Sequence, residues 1–264
     1  MNFELHGKIA VVTGSTAGIG LAIAEALAAE GSTVVVNGRT EARVAAAVER
    51  IQRKTSGAKL RGVAADLGTA KGTAEFVRAV PEADVLVNNL GIYSVKPFAE
   101  ITDSEWMNIF EVNVMSGIRL ARQYLPGMLR KNWGRIIFIS SESAQHIPPE
   151  MVHYGMTKTA QIAVARGLAE SVAGTGVTVN SVLAGPTASE GVTNFVADVA
   201  KQRGVTAAKV EEEFFKSVRP TSLLKRFETP QEVAAVVAFL ASVRSIAISG
   251  AAVRAEGGVV RSIL

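Results

Sequence analysis

Short runs of β-branched and apolar residues recur along the chain, and longer alanine-rich stretches separate them. The runs lie at residues 8–13, 32–37, 60–66, 83–89, 134–140, 176–182 and 250–256. The helix-like stretches are clearest at 18–30, 41–54, 103–131, 155–173 and 230–241. The runs are too apolar to alternate between two faces, which is typical of strands covered by helices on both sides. The pattern predicts an α/β fold, a doubly wound parallel sheet of about seven strands with helices on both faces.

No linker, repeat or shift of composition divides the chain, so we expect residues 1–264 to form a single domain of the Rossmann type. Its 264 residues, of which 48% are hydrophobic and 20% charged, can bury a full core. Ligands of such a fold gather at the carboxyl ends of the strands. We therefore look for function in the loops that follow each apolar run.

One connection, residues 189–218, is long for this fold. It holds four bulky apolar residues, Phe195, Val196, Phe214 and Phe215. Its stretch KVEEEFFK has the pattern of an amphipathic helix, with Glu211–Glu213 largely solvated. We expect this segment to be a lid over the substrate.

Composition and charge narrow the classes of function. The chain has no cysteine, which excludes disulfides, thiolate metal sites and cysteine nucleophiles. Its three histidines, at positions 6, 146 and 153, do not form a zinc motif, so we expect no metal. The net charge of +4 comes from scattered Lys and Arg, so we expect no nucleic-acid partner. No apolar stretch is long enough to span a membrane, so we expect no membrane partner and a cytoplasmic location.

The stretch TGSTAGIG, residues 13–20, lies between the first predicted strand and the first predicted helix. Glycines let the backbone approach a ligand closely, and the free N–H groups of a helix N-terminus attract a phosphate. A Walker A loop is disfavoured, because only three residues separate Gly14 from Gly18 and Ile19 follows where lysine is needed. The order Gly14, Gly18, Gly20 also differs from G-x-G-x-x-G, so the loop alone is as compatible with a tight turn as with a phosphate site.

Further motifs give the loop a context. TGxxxGIG at 13–20, NNLG at 88–91, ISS at 139–141 and YGMTK at 154–158 occur in the order and spacing of the short-chain dehydrogenase/reductase family. The chain resembles this family nearly end to end, and within it the oxidoreductases similar to 3-oxoacyl-carrier-protein reductase. The resemblance implies a sheet of seven parallel strands, a nicotinamide cofactor, and oxidation of an alcohol or reduction of a ketone.

Tyr154 and Lys158 are four residues apart, so on a helix they share one face. Bringing a phenol from a pKa of about 10 to about 7 takes roughly 4 kcal/mol of preferential stabilisation of the phenolate. An ammonium at ~4 Å supplies an energy of that order, so the pair can act as a general acid/base. By resemblance Ser141 orients the substrate, where its hydroxyl can hold the developing charge. Asn113 interrupts a helical stretch, and the resemblance implies that it anchors a water linking Lys158 to solvent.

Each of these four residues also has an ordinary structural interpretation, as a surface pair, a strand end or a solvated polar position. Their joint occurrence after the glycine loop favours catalysis. His146 and His153 are candidates for substrate contact, although we expect exposed loop histidines. Tyr93, just beyond NNLG, is a similar weak candidate.

The cofactor contacts are expected at the strand ends. By resemblance Asp66 lies near the adenine, or caps the next helix, and the GPT stretch holds the nicotinamide carboxamide. Leu90 replaces the family's usual alanine in NNAG, and Glu256 replaces a commoner aspartate. The full expected set is Gly14, Ser15, Thr16, Gly18, Ile19, Gly20, Asn37, Arg39, Thr40, Asp66, Leu67, Asn88, Gly91, Tyr154, Lys158, Pro186 and Thr187.

The stretch VVVNGRT, residues 34–40, predicts which dinucleotide is used. Enzymes that use NAD place an acid after the second strand to bind the ribose hydroxyls, and the aligned position here is Gly38. The next residue, Arg39, suits a 2'-phosphate, although it is also compatible with a solvated helix start. Ala17 stands where many NADP enzymes of the family have arginine, so the first loop adds no second cation. We expect NADP(H) to be preferred, with NAD(H) possible.

The function predicted from the sequence is interconversion of a secondary alcohol and a ketone with NADP(H), Tyr154 being the general acid/base. Two alternatives stay open. A 3-oxoacyl-carrier-protein reductase would need a basic docking patch, for which Arg130 and Lys131 are candidates beside Asn132. A dinucleotide sensor without catalysis would normally have lost one of the catalytic side chains. The partners expected are a small carbonyl or alcohol and, by resemblance, further copies of the chain in a homotetramer that pairs helices 103–131 and 155–173.

Overall fold

The computed structural model describes residues 2–263 and contains the predicted sheet. Its strands are β1 (Ile9–Val12), β2 (Thr33–Gly38), β3 (Lys59–Ala64), β4 (Val85–Asn88), β5 (Gly134–Ser141), β6 (Val177–Ala184) and β7 (Ala252–Ala255). They pair in parallel in the order β3-β2-β1-β4-β5-β6-β7. The fold class predicted from the apolar runs is confirmed.

Helices cover both faces of the sheet. They are α1 (Gly18–Ala29), α2 (Glu41–Lys54), α3 (Ala70–Ala79), α4 (Asp103–Phe110), α5 (Ser116–Arg130), α6 (Val152–Ser171), α7 (Glu190–Arg203), α8 (Ala207–Ser217) and α9 (Pro230–Ala241). One core cluster packs α1, α2 and α9 on the sheet. The other lies on the opposite face and involves α3, α5 and α6, with Phe76, Tyr124 and Phe138 among its largest buried side chains. This two-sided burial explains why the strands are apolar throughout.

Local signals fix several helix ends. The Thr40 hydroxyl accepts a hydrogen bond from the Arg43 N–H at the start of α2, and Glu41 lies in the first turn. Such caps satisfy N–H groups that have no partner inside the helix. At α9, Thr229 and Glu232 form a reciprocal capping box. These helices begin where the sequence pattern places them.

The order of the strands reverses between β1 and β4. Crossovers on the two sides of this point leave in opposite directions, which opens a crevice at the carboxyl ends of the strands. The glycine loop follows β1, and NNLG follows β4. The two motifs therefore meet at the crevice, which is where the sequence predicted a ligand.

The predicted helical stretch 103–131 is helical from Asp103 to Arg130, but not α-helical throughout. A π-helical turn, Glu111–Met115, joins α4 to α5, and such turns insert one residue and often mark functional sites. Asn113 lies at the centre of this turn and is buried. Apolar periodicity could not reveal the turn, because both flanking helices keep their own apolar faces.

The sequence analysis did not single out α3, although its N-cap Thr69 accepts a hydrogen bond from Gly72 N at 3.0 Å. The helix packs tightly against the end of β3: a Cβ at Gly72 would lie 2.1 Å from the Asp66 carbonyl oxygen. Glycine lowers helix propensity, which weakened the pattern here, but this close approach requires it.

The connection 189–218 folds into α7 and α8, joined at Gly204, whose φ is 64°. Phe214 and Phe215 pack on Phe227, with ring centroids 5.1 and 5.2 Å from it. The expectation that the whole acidic stretch is solvated is wrong for Glu211, which is half-buried and accepts a hydrogen bond from Phe227 N at 2.7 Å.

Within residues 2–263, no helix is long and apolar enough to cross a membrane.

Candidate active site

The loop between β1 and α1 is built to receive an anion. Gly14 and Gly18 have φ angles of 60° and 55°, a region that favours glycine. The helix N-cap, Ala17, provides no side-chain cap, and the first turn of α1 contains no acid. The N–H groups at this end therefore remain available for a phosphate.

Tight packing beneath the loop requires a third glycine. A Cβ at Gly20 would lie 2.4 Å from both the Gly14 carbonyl oxygen and Asn89 Nδ2. Asn89 donates hydrogen bonds through Nδ2 to the carbonyls of Thr13 and Gly14, at 2.9 and 3.1 Å. Asn89, the second asparagine of NNLG, was not among the predicted site residues. It binds the end of β4 to the glycine loop.

Two residues predicted to contact the cofactor have side chains that are used inside the protein. Asn37 Oδ1 accepts a hydrogen bond from Gly14 N at 3.2 Å, and its Nδ2 donates to the carbonyls of Val63, in β3, and Ala65, just after it. Ser15 Oγ donates to the Val12 carbonyl at 2.7 Å and accepts from Asn37 N at 2.9 Å. Both side chains are buried and hold the loop in shape.

Two residues predicted to contact the cofactor, Arg39 and Asp66, follow the ends of β2 and β3. Arg39 is exposed and, within the described residues, has no hydrogen-bond or ion-pair partner. The neighbouring Gly38 is closely packed, because a Cβ there would lie 2.5 Å from Thr16 Cγ2. The absence of an acid at this position therefore has a packing reason as well as an electrostatic one. Asp66, also exposed, accepts a hydrogen bond from Gly68 N at 3.1 Å.

The remaining predicted contacts lie near the crevice. Asn88, at the end of β4, is buried, and neither polar atom of its amide has a partner in the described part of the chain. Buried amides are normally hydrogen-bonded, so this one is suited to a bound polar group. Leu67 is buried, whereas Gly91 is exposed. Thr187 Oγ1 donates to the Gly185 carbonyl at 2.9 Å.

Glu228 supports the GPT stretch after β6. Its backbone N–H donates to the Pro186 carbonyl at 2.9 Å, and its carboxylate accepts from Gly185 N at 3.3 Å. Burial raises the pKa of Glu228 to about 7. Nearby Glu256 is also buried and is paired with Arg254 at 2.8 Å. Glu228 therefore holds the GPT stretch in place, whereas Glu256 holds the segment after β7 through hydrogen bonds from the N–H groups of Val259 and Val260.

Two elements bring the predicted catalytic residues together. Ser141 ends β5, while Tyr154 and Lys158 lie one turn apart on α6. Lys158 is joined to β5, because its Nζ donates to the Ile139 carbonyl at 2.8 Å and its own carbonyl accepts from Ser140 Oγ at 2.8 Å. Lys158 Nζ lies 5.5 Å from the centroid of the Tyr154 ring.

The pKa values differ from the simple expectation. Burial raises the pKa of Tyr154 to about 12, partly offset by a hydrogen bond with Ser141 and reinforced by the charge of Glu142. Burial also lowers the pKa of Lys158 to about 8. The lowering that an ammonium at ~4 Å could in principle provide is not seen here, because desolvation is the largest influence on the phenol and Lys158 Nζ lies 5.5 Å from the ring centroid. The raised pKa keeps the phenol of Tyr154 protonated at neutral pH.

Asn113 is held on three sides. Its Oδ1 accepts from Ile92 N at 2.7 Å, and its Nδ2 donates to the Ile92 carbonyl at 2.9 Å and to Thr157 Oγ1 at 3.0 Å. Its backbone carbonyl accepts a hydrogen bond from Gln161 Nε2 at 2.6 Å. Gln161 was not among the predicted residues, although it lies one turn beyond Lys158 on α6.

The three weaker candidates for substrate contact lie in different environments. His153 is buried, and its Nε2 forms a hydrogen bond of 2.8 Å with Ser94 Oγ. The expectation of an exposed histidine is wrong there, because residue 153 already belongs to α6. His146 is exposed as expected. Tyr93 lies at the mouth of the site, with its ring 6.1 Å from that of Tyr154.

The arrangement joins an anion-binding loop to a proton donor. A Cβ at Gly91 would lie 3.4 Å from Lys158 Nζ, so the loop after β4 directly borders this lysine. A dinucleotide would fit these residues, because the N–H groups at the start of α1 suit a phosphate and the unpartnered Asn88 amide suits a polar group. No group of acids and histidines that could hold a metal occurs within residues 2–263.

Comparison with known proteins gives the same family as the motifs did. The short chain dehydrogenase family model matches residues 8–200. The uncharacterized oxidoreductase YvaG of Bacillus subtilis is 48% identical, and the match covers 100% of both chains. The 3-oxoacyl-[acyl-carrier-protein] reductase FabG of Aquifex aeolicus is 35% identical over 98% of this chain and 99% of its own.

A solved structure extends the likeness to the whole fold. L-sorbose reductase from Gluconobacter frateurii, complexed with NADPH and L-sorbose, superposes with a TM-score of 0.93 at 32% identity and covers 100% of both chains. The sequence match and the structural match thus both extend over the full length of the chain. The chain belongs to the short-chain dehydrogenase/reductase family, oxidoreductases that act on alcohols and ketones with NAD(P).

Proposed function

We propose that this protein interconverts a secondary alcohol and a ketone of a small molecule, with NADP(H) as the redox partner and Tyr154 as the general acid/base. The observation that carries the proposal is the convergence of Ser141, Tyr154 and Lys158 beside the loop at Gly91. A surface tyrosine–lysine pair would not have a buried ammonium bound to a strand carbonyl.

In ketone reduction, the substrate oxygen accepts hydrogen bonds from the Ser141 hydroxyl and from Tyr154. The nicotinamide, when bound, supplies the hydride to the carbonyl carbon. As negative charge develops on the oxygen, Tyr154 donates its proton to it, so an alcohol and a phenolate result. Lys158 stabilises that phenolate by its charge. The raised pKa of Tyr154 suits this direction, because the phenol begins protonated.

The preference for NADP(H) rests on Arg39. Its guanidinium is exposed and has no partner in the described chain, so it is free to bind a 2'-phosphate. The similar L-sorbose reductase was solved with NADPH. NAD(H) remains compatible with the rest of the crevice.

The carrier-protein reductase alternative is favoured by the similarity to the Aquifex enzyme. Its docking patch, however, is weak here. Lys131 Nζ is bound to Glu82 and Asp84, at 3.0 and 3.1 Å, which neutralises it. Arg130 alone is left beside Asn132 as an exposed cation. The sensor alternative is disfavoured by the complete catalytic set.

A turnover screen tests the function directly. The enzyme is offered ketoses, simple ketones and 3-oxoacyl thioesters, and oxidation of NADPH is followed by its absorbance. Reduction of a free ketone would support the proposal. Turnover confined to thioesters on carrier protein would favour the alternative, and no turnover with any substrate in either direction would favour the sensor.

We also propose that residues 189–218 act as a lid. The start of the segment borders both halves of the site: a Cβ at Gly18 would lie 3.4 Å from Ser189 Cβ, and one at Gly191 would lie 3.7 Å from the Tyr93 hydroxyl. At the other end, Arg219 forms a buried ion pair of 2.8 Å with Glu142, the residue after the catalytic serine. The segment thus begins beside the glycine loop and Tyr93, and the residue that follows it is paired with Glu142 just after β5.

A lid is expected to be protected by its ligands. Trypsin should cut at the exposed Lys201 and Arg203 in the free protein, and the cleavage should slow when NADPH and substrate are added together. Cleavage after Arg53 on α2, which is also exposed, serves as the reference site and should not change. Equal rates at the segment with and without ligands would contradict the lid.

The homotetramer remains a proposal, supported by exposed apolar side chains. Met107, on α4 in the stretch 103–131 expected to pair across a dyad, is 67% exposed, and Phe98, in the turn that precedes α4, is 64% exposed. Light scattering should give four times the 27.7 kDa mass of the chain. A monomer would refute the proposal.

A further inference from the structure

The side chain of Gln161 links the catalytic lysine to the backbone of the π-helical turn. Its Oε1 accepts a hydrogen bond from Lys158 Nζ at 3.2 Å, and its Nε2 donates to the Asn113 carbonyl at 2.6 Å. Gln161 is 1% exposed, so this bridge is closed to solvent. No role has been given to this residue so far.

The orientation of the amide is forced by its partners. A backbone carbonyl can only accept a hydrogen bond, so Nε2 must face Asn113. An ammonium can only donate, so Oε1 must face Lys158. A side chain in this position needs a donor and an acceptor on one fork, which glutamine provides and an apolar residue does not.

The bridge also determines where the N–H groups of Lys158 are directed. An ammonium has three N–H groups. One is bound by the Ile139 carbonyl on β5 and a second by Gln161 on α6. The third has no protein partner within residues 2–263, and the ring of Tyr154 lies 5.5 Å from Nζ. Two fixed bonds therefore set the direction of the one that remains.

We propose that Gln161 is a positioning residue for catalysis. It holds Lys158 between β5 and the Asn113 carbonyl, so that the remaining N–H of the ammonium is directed toward Tyr154. The inference rests on the proposed function, since it assigns Gln161 to the same reaction. It also adds to the expected role of Asn113, whose carbonyl accepts a hydrogen bond from the Gln161 side chain and so uses one of its two lone pairs.

The Gln161 amide also acts on the protonation of Lys158. Because Oε1 accepts a hydrogen bond from the charged ammonium, it favours the charged form, against the burial that lowers the pKa of Lys158. Around the pair, Tyr93 and Glu142 act on Tyr154 from neighbouring elements, and Glu142 is itself paired with Arg219. Removing the amide leaves these charged and titratable groups in place and deletes two hydrogen bonds, one from Lys158 Nζ and one to the Asn113 carbonyl, of which only the first acts directly on the pKa of Lys158.

The test compares pH profiles of kcat/KM for ketone reduction. Gln161→Met keeps the length of the side chain but removes both hydrogen-bonding groups. We expect its alkaline limb to move to lower pH by about one unit, because Lys158 loses its proton earlier. Gln161→Glu keeps an oxygen toward Lys158 and should retain the wild-type limb or move it upward. Gln123→Met on the exposed face of α5 is the matched control and should leave the profile unchanged.

A second measurement does not depend on turnover. The Lys158 signal in lysine labelled with ¹⁵N at Nζ, identified by its absence in Lys158→Arg, should titrate about one unit lower in Gln161→Met. If wild-type enzyme turns over but Gln161→Met keeps both its pH profile and the Lys158 titration, the positioning role is refuted and the reaction is not. If Gln161→Met merely lowers Tm, with an unchanged profile, the residue is structural only. Absence of turnover in the wild type would instead refute the proposed function.

Discussion

Tyr154→Phe should lower kcat by about 10²- to 10⁴-fold, the range typical of a lost general acid/base. The change deletes one oxygen from a partly exposed side chain, and that oxygen is the proton donor to the substrate. Folding and NADPH binding should remain close to the wild type, because the ring stays packed against Tyr93 and above Lys158. Steady-state kinetics and fluorescence titration of NADPH measure the two effects separately.

The chain contains a matched control for this change. Tyr124→Phe deletes the same oxygen from a buried tyrosine whose hydroxyl donates to the Val80 carbonyl at 2.8 Å, far along the chain from the site. It should cost about 1 kcal/mol of stability and leave kcat unchanged. Wild-type turnover in Tyr154→Phe would remove Tyr154 from its assigned role.

Arg39→Gln should lower kcat/KM for NADPH by about ten- to a hundredfold and leave that for NADH nearly unchanged. The change removes one charge-assisted contact with the 2'-phosphate, worth about 1.5–3 kcal/mol, and NADH has no such phosphate. Arg39 has no other partner within residues 2–263, so the substitution should not disturb the fold. The two constants are measured on one ketone with each nucleotide.

Arg53→Gln, at the far end of α2, is the control for loss of a surface cation, since Arg53 is exposed and pairs only with Glu49 at 2.8 Å. It should leave the ratio of the two constants unchanged. A wild-type preference for NADH would overturn the role of Arg39.

The reverse change, an acid at Gly38 to favour NADH, needs more than two substitutions. Because a Cβ at Gly38 would lie 2.5 Å from Thr16 Cγ2, Gly38→Asp with Arg39→Ile should be combined with Thr16→Ser, which deletes that methyl group. Without the third change, we expect strain in the loop to weaken binding of both nucleotides.

The architecture was determined by local features of the sequence. Strands buried on two faces must be apolar, and helices between them must carry an apolar face, so the order of elements could be predicted from the pattern alone. The glycine loop was evident for a similar reason, since Gly14 and Gly18 adopt φ angles that favour glycine. The spacing of Tyr154 and Lys158 is a property of one helix turn, which needs no tertiary information.

The tertiary structure alone decided the electrostatics and the partners of the site. Burial reversed the expected shift in the pKa of Tyr154, and burial depends on what the rest of the chain packs around a residue. The tertiary structure also buries His153 and joins the Asn37 side chain to the glycine loop by a hydrogen bond. None of these outcomes can be inferred from the residue and its sequence neighbours.

The bridge from Gln161 to the Asn113 carbonyl shows why. The two residues are 48 positions apart and meet only because α6 packs on the π-helical turn. A one-residue insertion in a helix leaves no mark in the apolar periodicity, and a glutamine within an apolar helix looks like any polar position. The sequence by itself determined the fold and the candidate reacting groups. Which carbonyl and which amide hold the lysine was decided by packing, because hydrogen bonds across elements depend on geometry rather than on order along the chain.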